Sequence, residues 1–266
     1  MLSPQDIDEL TAFMHELADA AANVTLPHFR EGINVDHKEG RHTFDPVTAA
    51  DRDAETAIRK LIGTRYPSHG ILGEEHGREA GSSDHLWVID PIDGTRSFIC
   101  GVPLWGTLIA LNDGKRPVIG MMDQPFTRER FIGRPGGSVL TSPHGTTALK
   151  TSSCKTLAEA KLGNTDAGMF TDPEKKDAFR DLSSKVCLRR FGGDCYFYCL
   201  LAAGTIDLVV EAELEAYDVQ ALIPIIENAG GIITGWQGGD PQAGGDVVAA
   251  ATPELHMAAL EILSQA

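Results

Sequence analysis

WVIDPIDGT, residues 87–95, is an apolar run followed by two aspartates three apart, with a proline between them and a Gly-Thr pair behind. Trp87, Val88 and Ile89 read as a buried strand that delivers Asp90 at its end. Pro91 removes a backbone donor, so strand pairing is expected to stop there and the chain to turn. Asp90, the carbonyl of Ile92 and Asp93 then share one space and offer three hard oxygen donors, which is the ligand chemistry of Mg2+. Gly94 lets the backbone approach closely, and the N–H groups of Gly94, Thr95 and Arg96 can face an anion. A lone aspartate here reads equally well as an Asx-turn that ends a strand. Two aspartates, the proline and the Gly-Thr together argue for the ion site.

On the N-terminal side of this stretch the pattern is helical. Ser3-Pro4 followed by Asp6 forms an N-cap, a first-turn proline and a near capping box, and Ile7, Leu10, Met14, Leu17, Ala21 and Val24 repeat at helical spacing. A second helix is predicted from near Thr48 to Tyr66-Pro67. On the C-terminal side, LWVID (86–90), GTLIALN (106–112), VIGMMDQ (118–124) and RFIG (130–133) are joined by short turns and read as an antiparallel meander. After Ser142-Pro143-His144-Gly145 strands and helices alternate, with helices from Asp172, about Asp194, Asp218 and Thr252-Pro253. That rhythm predicts a layered α/β architecture. We read two lobes, 1–145 with the acids of the opening stretch and 146–266, meeting at a seam near 143–150; the Gly-rich 237–246 reads as an exposed loop.

Other acids fall at comparable places. Glu74-Glu75 in ILGEEHG ends a short apolar run, where like charges repel unless a cation intervenes. Asp218 in EAYDVQALIPIIENAGG reads as a helix N-cap that can also bind metal. Pro224 then falls inside the same helix, where it is expected to break a hydrogen bond and kink it. Asp51 stands three residues after Thr48, the spacing of a capping box. If Asp51 meets Thr95, a threonine hydroxyl oriented by a carboxylate can activate water beside a cation, with no serine or cysteine nucleophile. Asn164 ends a strand toward the same side.

Bulk composition narrows the function. A length of 266 residues lies near the ~250–300 at which single cores stop growing, so one large domain and two fused lobes are both open. Lys+Arg 23 against Asp+Glu 38 gives −15, which repels nucleic acid because the basic residues are not clustered. No apolar run reaches the ~18 residues of a membrane span. The acidic, amphipathic MLSPQDIDEL is no secretory signal, so a cytoplasmic location is expected, and five unpaired-looking cysteines agree with a reducing compartment. Cys195 and Cys199 lack the second Cys or His pair of a zinc site and read as buried thiols.

The set GEE (73–75), WVIDPIDGT (87–95) and YDVQALIPIIENAGG (217–231), in this order along nearly the whole chain, resembles the inositol monophosphatase superfamily of Mg2+-dependent, Li+-sensitive phosphatases. The resemblance implies the αβαβα sandwich shared with fructose-bisphosphatases. It implies metal ligation by Glu74, Asp90, the Ile92 carbonyl, Asp93 and Asp218, with two or more Mg2+ ions per site. It implies that Thr95, with Asp51 and Glu74, activates the attacking water, that no phosphoenzyme forms, and that the protein is a homodimer. Tyr217 departs from the Trp that most members carry there.

For the substrate, RRFGGDCYFYCLLAAGTIDLVVEAELEAYD (189–218) resembles the histidinol-phosphatase branch through its Arg-x-Gly-Gly-Asp-Cys-Tyr pattern. An extra carboxylate beside a phosphate is costly unless the ligand brings a cation. Histidinol phosphate brings an ammonium and an imidazole, so Asp194 and Glu211 are expected to bind that end, although Glu211 alone could equally accept inositol hydroxyls, with Arg190 reaching the phosphate or positioning the acids. Asp93, Gly94, Thr95 and Arg96 complete the expected phosphate contacts. Asp194 also reads as a helix N-cap, and Tyr196 and Tyr198 as packing residues. The expected reaction is hydrolysis of L-histidinol phosphate to L-histidinol and phosphate. The alternatives are an inositol 1-phosphate or promiscuous sugar-phosphate phosphatase, and a silent scaffold, which would have lost Thr95, Asp51 or a ligand.

Overall fold

Ser3 caps the first helix, α1 (Pro4–Thr25), and accepts from the Asp6 amide while Asp6 accepts in return from Ser3, a complete capping box. The computed structural model describes residues 2–31, 36–37, 46–47 and 49–266. Thr48, the expected cap of the second helix, lies outside the described residues. Within them, β1 (Asp36–His37) pairs with β2 (Pro46–Val47), and α2 runs Ala49–Arg65. The apolar stripes of α1 and α2 bury Leu10, Met14, Leu17, Ala54, Ile58 and Ile62 against one face of a large sheet.

That sheet has eight strands, built from β3 (Gly70–Gly73), β4 (Gly77–Glu79), β5 (Leu86–Asp93), β6 (Gly106–Asn112), β7 (Pro117–Gln124), β8 (Glu129–Arg134), β9 (Gly137–Ser142) and β10 (Gly145–Ala148). Its order is β10-β9-β8-β7-β6-β5-β3-β4, and only β3 and β5 run parallel. The meander expected from sequence is therefore present, extended by two strands. Residues 143–144 turn the β9–β10 hairpin, and β10 still pairs with this sheet. The expected boundary between 145 and 146 therefore falls inside β10, a strand of the first sheet.

A short helix, α3 (Thr95–Ile99), follows β5. Beyond the linker come β11 (Lys161–Asn164), α4 (Pro173–Ser184), β12 (Leu188–Phe191), α5 (Asp194–Ala202), β13 (Leu208–Glu215), α6 (Ala216–Val219), α7 (Leu222–Glu227), β14 (Ile232–Gly235), β15 (Gly244–Ala250) and α8 (Pro253–Leu263). The strands form a five-stranded sheet in the order β12-β11-β13-β15-β14. Val88, Leu108 and Met122 of the first sheet and Val209, Val247 and Ala249 of the second clamp α5 and α7 between them. Alternate residues on the outer face of the second sheet, Leu208, Val210, Val248 and Ala250, pack under α4 and α8. The layers run α1/α2, sheet, α5/α7, sheet, α4/α8, which is the expected αβαβα sandwich.

Two sequence expectations fail locally. Pairing does not stop at Pro91: a bulge shifts the register between Asp90 and Asp93, after which Asp93 pairs with Gly106. The bulge absorbs the missing proline donor, and Thr107 Oγ1 donates to the Pro91 carbonyl at 2.8 Å. Nor does one kinked helix start at Asp218. Glu215 caps α6, Asp218 is its third residue, and the chain breaks at Gln220-Ala221 before α7. Pro224 sits in the first turn of α7, where no amide donor is needed, so it starts a helix instead of bending one. The break lets Ala221 lie against β7 so closely that a Cβ on Gly120 would fall 2.0 Å from the Ala221 carbonyl oxygen.

Candidate active site

The bulge in β5 sets the centre of a cleft of about 230 Å3 between the two sheets. Asp90 Oδ1 accepts from the Ile92 amide at 3.0 Å, so the Asx-turn is real, yet its carboxylate also lines the cleft. Asp93, three residues on, accepts through Oδ2 from the Cys195 amide at 2.7 Å, in the first turn of α5. Asp218 reaches in from α6, where its Oδ2 accepts from the Glu215 amide at 2.7 Å. Oxygens of Asp90, Asp93 and Asp218 lie within 4.8 Å of one another, although the three residues come from both halves of the chain.

Glu74 lines the same cleft from the loop after β3. That loop is held by a residue the sequence reading passed over. Glu55, buried in α2, accepts through Oε2 from the Glu75 amide at 2.7 Å and through Oε1 from the His76 amide at 3.2 Å, and pairs with Arg59 at 2.6 Å. Arg59 in turn donates to the Gly77 carbonyl.

The electrostatics of the cluster are those of a cation site. Burial pushes the Asp90 carboxyl well above the ordinary range, and the charges of Glu74, Asp93 and Asp218 push it further. Asp218 rises for the same reasons, burial first and then Asp93. Burial lifts Asp93 to about 6 against the opposing hydrogen bonds from Cys195. Four carboxylates facing one another with only hard oxygen donors fit a divalent cation of the Mg2+ type. The Ile92 carbonyl also lines the cleft and accepts from Thr95 Oγ1 at 3.1 Å, which leaves its second lone pair for a ligand.

Asp194 and Glu211 line the same cleft. Asp194 is not the N-cap of α5; Gly193 is, and Asp194 takes a left-handed φ of 43° as the first helical residue. This twist aims its carboxylate at Gly94 and Ser97, whose Oγ donates to Asp194 Oδ2 at 3.3 Å. Gly94 has φ 83°, and a Cβ there would fall 3.0 Å from the Leu104 carbonyl oxygen and 3.2 Å from Asp194 Cγ, so only glycine fits. Burial raises Asp194 to about 7, helped by the charge of Asp93. Glu211, 1 % exposed on β13, accepts from the Thr165 amide at 2.7 Å through Oε1, and burial pushes its carboxyl well up.

Gly94, Thr95 and Arg96 line the cleft at the start of α3, whose first-turn amides have no intrahelical acceptor. Among the described residues Arg96 is the only cationic side chain lining the cleft; it is exposed and lies 3.6 Å from Asp166. Arg190 is a correction: it sits exposed on the edge strand β12, away from the cleft lining. Asp51 is buried in the first turn of α2 and is not among the residues that line the cleft. Asn164 is buried too, its Nδ2 donating to the Val210 carbonyl at 2.8 Å instead of facing the cleft. Cys195 and Cys199 are buried free thiols. No described helix is long and apolar enough to cross a membrane.

The chain is similar to known proteins along nearly its whole length. A family model described as the inositol monophosphatase family matches residues 6–266. The chloroplastic bifunctional phosphatase IMPL2 of Arabidopsis thaliana is 41 % identical, over 98 % of this chain and 77 % of its own length. The histidinol-phosphatase of Streptomyces coelicolor is 36 % identical, over 98 % of this chain and 99 % of its own. Among solved structures, an inositol monophosphatase from Zymomonas mobilis superposes with a TM-score of 0.86 at 38 % identity, covering 99 % of this chain and 100 % of its own.

Proposed function

We propose that this chain, which belongs to the inositol monophosphatase family of phosphatases, hydrolyses L-histidinol phosphate to L-histidinol and phosphate with the help of Mg2+. The observation that carries the substrate is the pair of acids Asp194 and Glu211 in a cleft where, among the described residues, Arg96 is the only cationic side chain and is exposed. Two buried carboxylates next to a phosphate are tolerable when the ligand itself brings positive charge. An aminoalkyl phosphate does so, and a polyol phosphate does not.

Glu74, Asp90, Asp93, Asp218 and the Ile92 carbonyl would hold the divalent cation, which would supply Lewis acidity toward the phosphoryl group, the attacking water and the leaving alkoxide. Thr95 Oγ1 orients that water, and Glu74 and Asp51 draw its proton away through the threonine hydroxyl. The amides of Gly94, Thr95 and Arg96 hold the phosphate oxygens. Asp194 faces the substrate ammonium.

Steady-state kinetics with histidinol phosphate and inositol 1-phosphate test this reading, and a preference for inositol 1-phosphate removes it. The histidinol-phosphatase name of the Streptomyces coelicolor relative supports the first outcome. Asp194→Asn is expected to raise KM for histidinol phosphate about 10- to 100-fold, the loss of one charge-assisted contact, and to change it little for a neutral phosphomonoester. Equal effects on both substrates would show that Asp194 does not read the cation.

A further inference from the structure

Helix α5 carries two tyrosines with opposite fates. The Tyr196 hydroxyl donates to the Glu129 carboxylate. Tyr198, 2 % exposed and lining the cleft, has a hydroxyl with no hydrogen-bond partner among the described residues. Glu211 is its complement: Oε1 is used by the Thr165 amide, whereas the buried Oε2 has no partner among the described residues. Buried tyrosine hydroxyls and carboxylate oxygens are normally matched, so a donor and an acceptor left open on one cleft point to a ligand that closes both.

We propose that Tyr198 is a specificity-determining residue: its hydroxyl and Glu211 Oε2 together bind the two ring nitrogens of a neutral imidazole. This inference rests on the histidinol phosphate reading and adds to it the group that reads the ring. A neutral imidazole has one N–H that donates and one bare nitrogen that accepts, aimed in different directions in the ring plane. Its N–H donates to Glu211 Oε2, and its bare nitrogen accepts from the Tyr198 O–H. Burial, and after it the charge of Glu211, pushes the Tyr198 phenol well above its ordinary range, so it stays a donor. The cleft also offers Met169, Leu214, Tyr217 and Leu222, apolar or aromatic surface that suits a flat ring and would leave the hydroxyls of a polyol unpaired. Asp194 is left to the ammonium, so each end of the substrate meets its own carboxylate.

The test is Tyr198→Phe, which removes only the hydroxyl. Two substrates are compared: histidinol phosphate, and O-phosphoethanolamine, which keeps the phosphate and the ammonium but lacks the ring. We expect kcat/KM for histidinol phosphate to fall about 10- to 100-fold, mainly through KM, with no change for O-phosphoethanolamine. Competitive inhibition by L-histidinol should weaken by the same factor. The melting temperature should not fall, because the hydroxyl has no protein partner to lose. Combined with Glu211→Gln, the losses should be less than additive, since both residues hold one ring. An equal loss on both substrates, or a lowered melting temperature, assigns the hydroxyl to the fold and overturns the proposal. A wild-type enzyme that prefers histidinol phosphate, with a phenylalanine variant that is unchanged on it, overturns the role of Tyr198 alone. A wild-type preference for inositol 1-phosphate removes the functional reading and this inference with it.

Discussion

Asp90→Asn is expected to lower kcat about 10^3-fold at saturating Mg2+, and at the same time to raise the melting temperature of the metal-free protein by a few degrees. The two effects have one cause. Asp90 is 2 % exposed and faces Glu74, Asp93 and Asp218, so without a cation its charge is a liability to the fold. With cations in place the same charge holds them, and cation stabilisation of a phosphoryl transition state amounts to several kcal/mol, of which about 4 corresponds to a thousandfold. Asparagine keeps the oxygen that accepts from the Ile92 amide, so the Asx-turn and the bulge survive. Kinetics in Mg2+ and thermal melts in EDTA measure the two halves separately. Activity within tenfold of the wild type would mean that Asp90 does not hold a catalytic cation, while a lowered melting temperature would mean that the aspartate is needed by the bulge itself.

The acids of the cluster were legible in the sequence because each ends a strand or begins a helix, and such positions announce themselves by proline, glycine and a change of period. Ser3-Pro4-Asp6 and Thr252-Pro253 located their helices for the same local reason. What stayed hidden depends on contacts distant in sequence. Glu55 looks like one half of an exposed i,i+4 pair with Arg59, but its acceptors are spent on amides about twenty residues away, which only the folded chain brings near. The break at Gln220-Ala221 brings that turn against Gly120, a contact distant in sequence, and Pro224 marks the start of a new helix only once the break is seen. Arg190 belongs to the motif that resembles the histidinol-phosphatase branch, yet it is exposed on the edge strand β12 and is not among the residues that line the cleft. Tyr198 reads as a core residue by type and spacing, and it is one by burial; only its unmatched hydroxyl and its neighbour Glu211 mark it as something else. Sequence thus gives the residues that need a cation, whereas the second wall of the cleft has to be seen in place.

Chelation with EDTA should abolish turnover, and the rise in melting temperature produced by Mg2+ should grow steeply between about pH 5 and pH 8. Burial holds the Asp93 carboxyl at about 6 and the Asp194 carboxyl at about 7, above the ordinary 3.8. The folded protein therefore keeps protons that the unfolded chain has already released. Stability from these groups is fully present below the ordinary carboxylate range and is lost as pH rises through about 6 for Asp93 and about 7 for Asp194. Protons and Mg2+ compete for the cluster oxygens, so the cation binds tightly only where the protons have left. At a concentration about 100 times its dissociation constant it contributes roughly 2.7 kcal/mol to the folded state, which is several degrees in a chain of this size. His15, His69 and His256 act in the opposite direction, since burial lowers each of them and their stability is lost as pH falls. They lie outside the cleft lining and contribute equally with and without Mg2+, so the difference between paired melts isolates the cluster. A Mg2+-induced shift that is flat across this range, or turnover that survives EDTA, would falsify the assignment of these acids to a cation site.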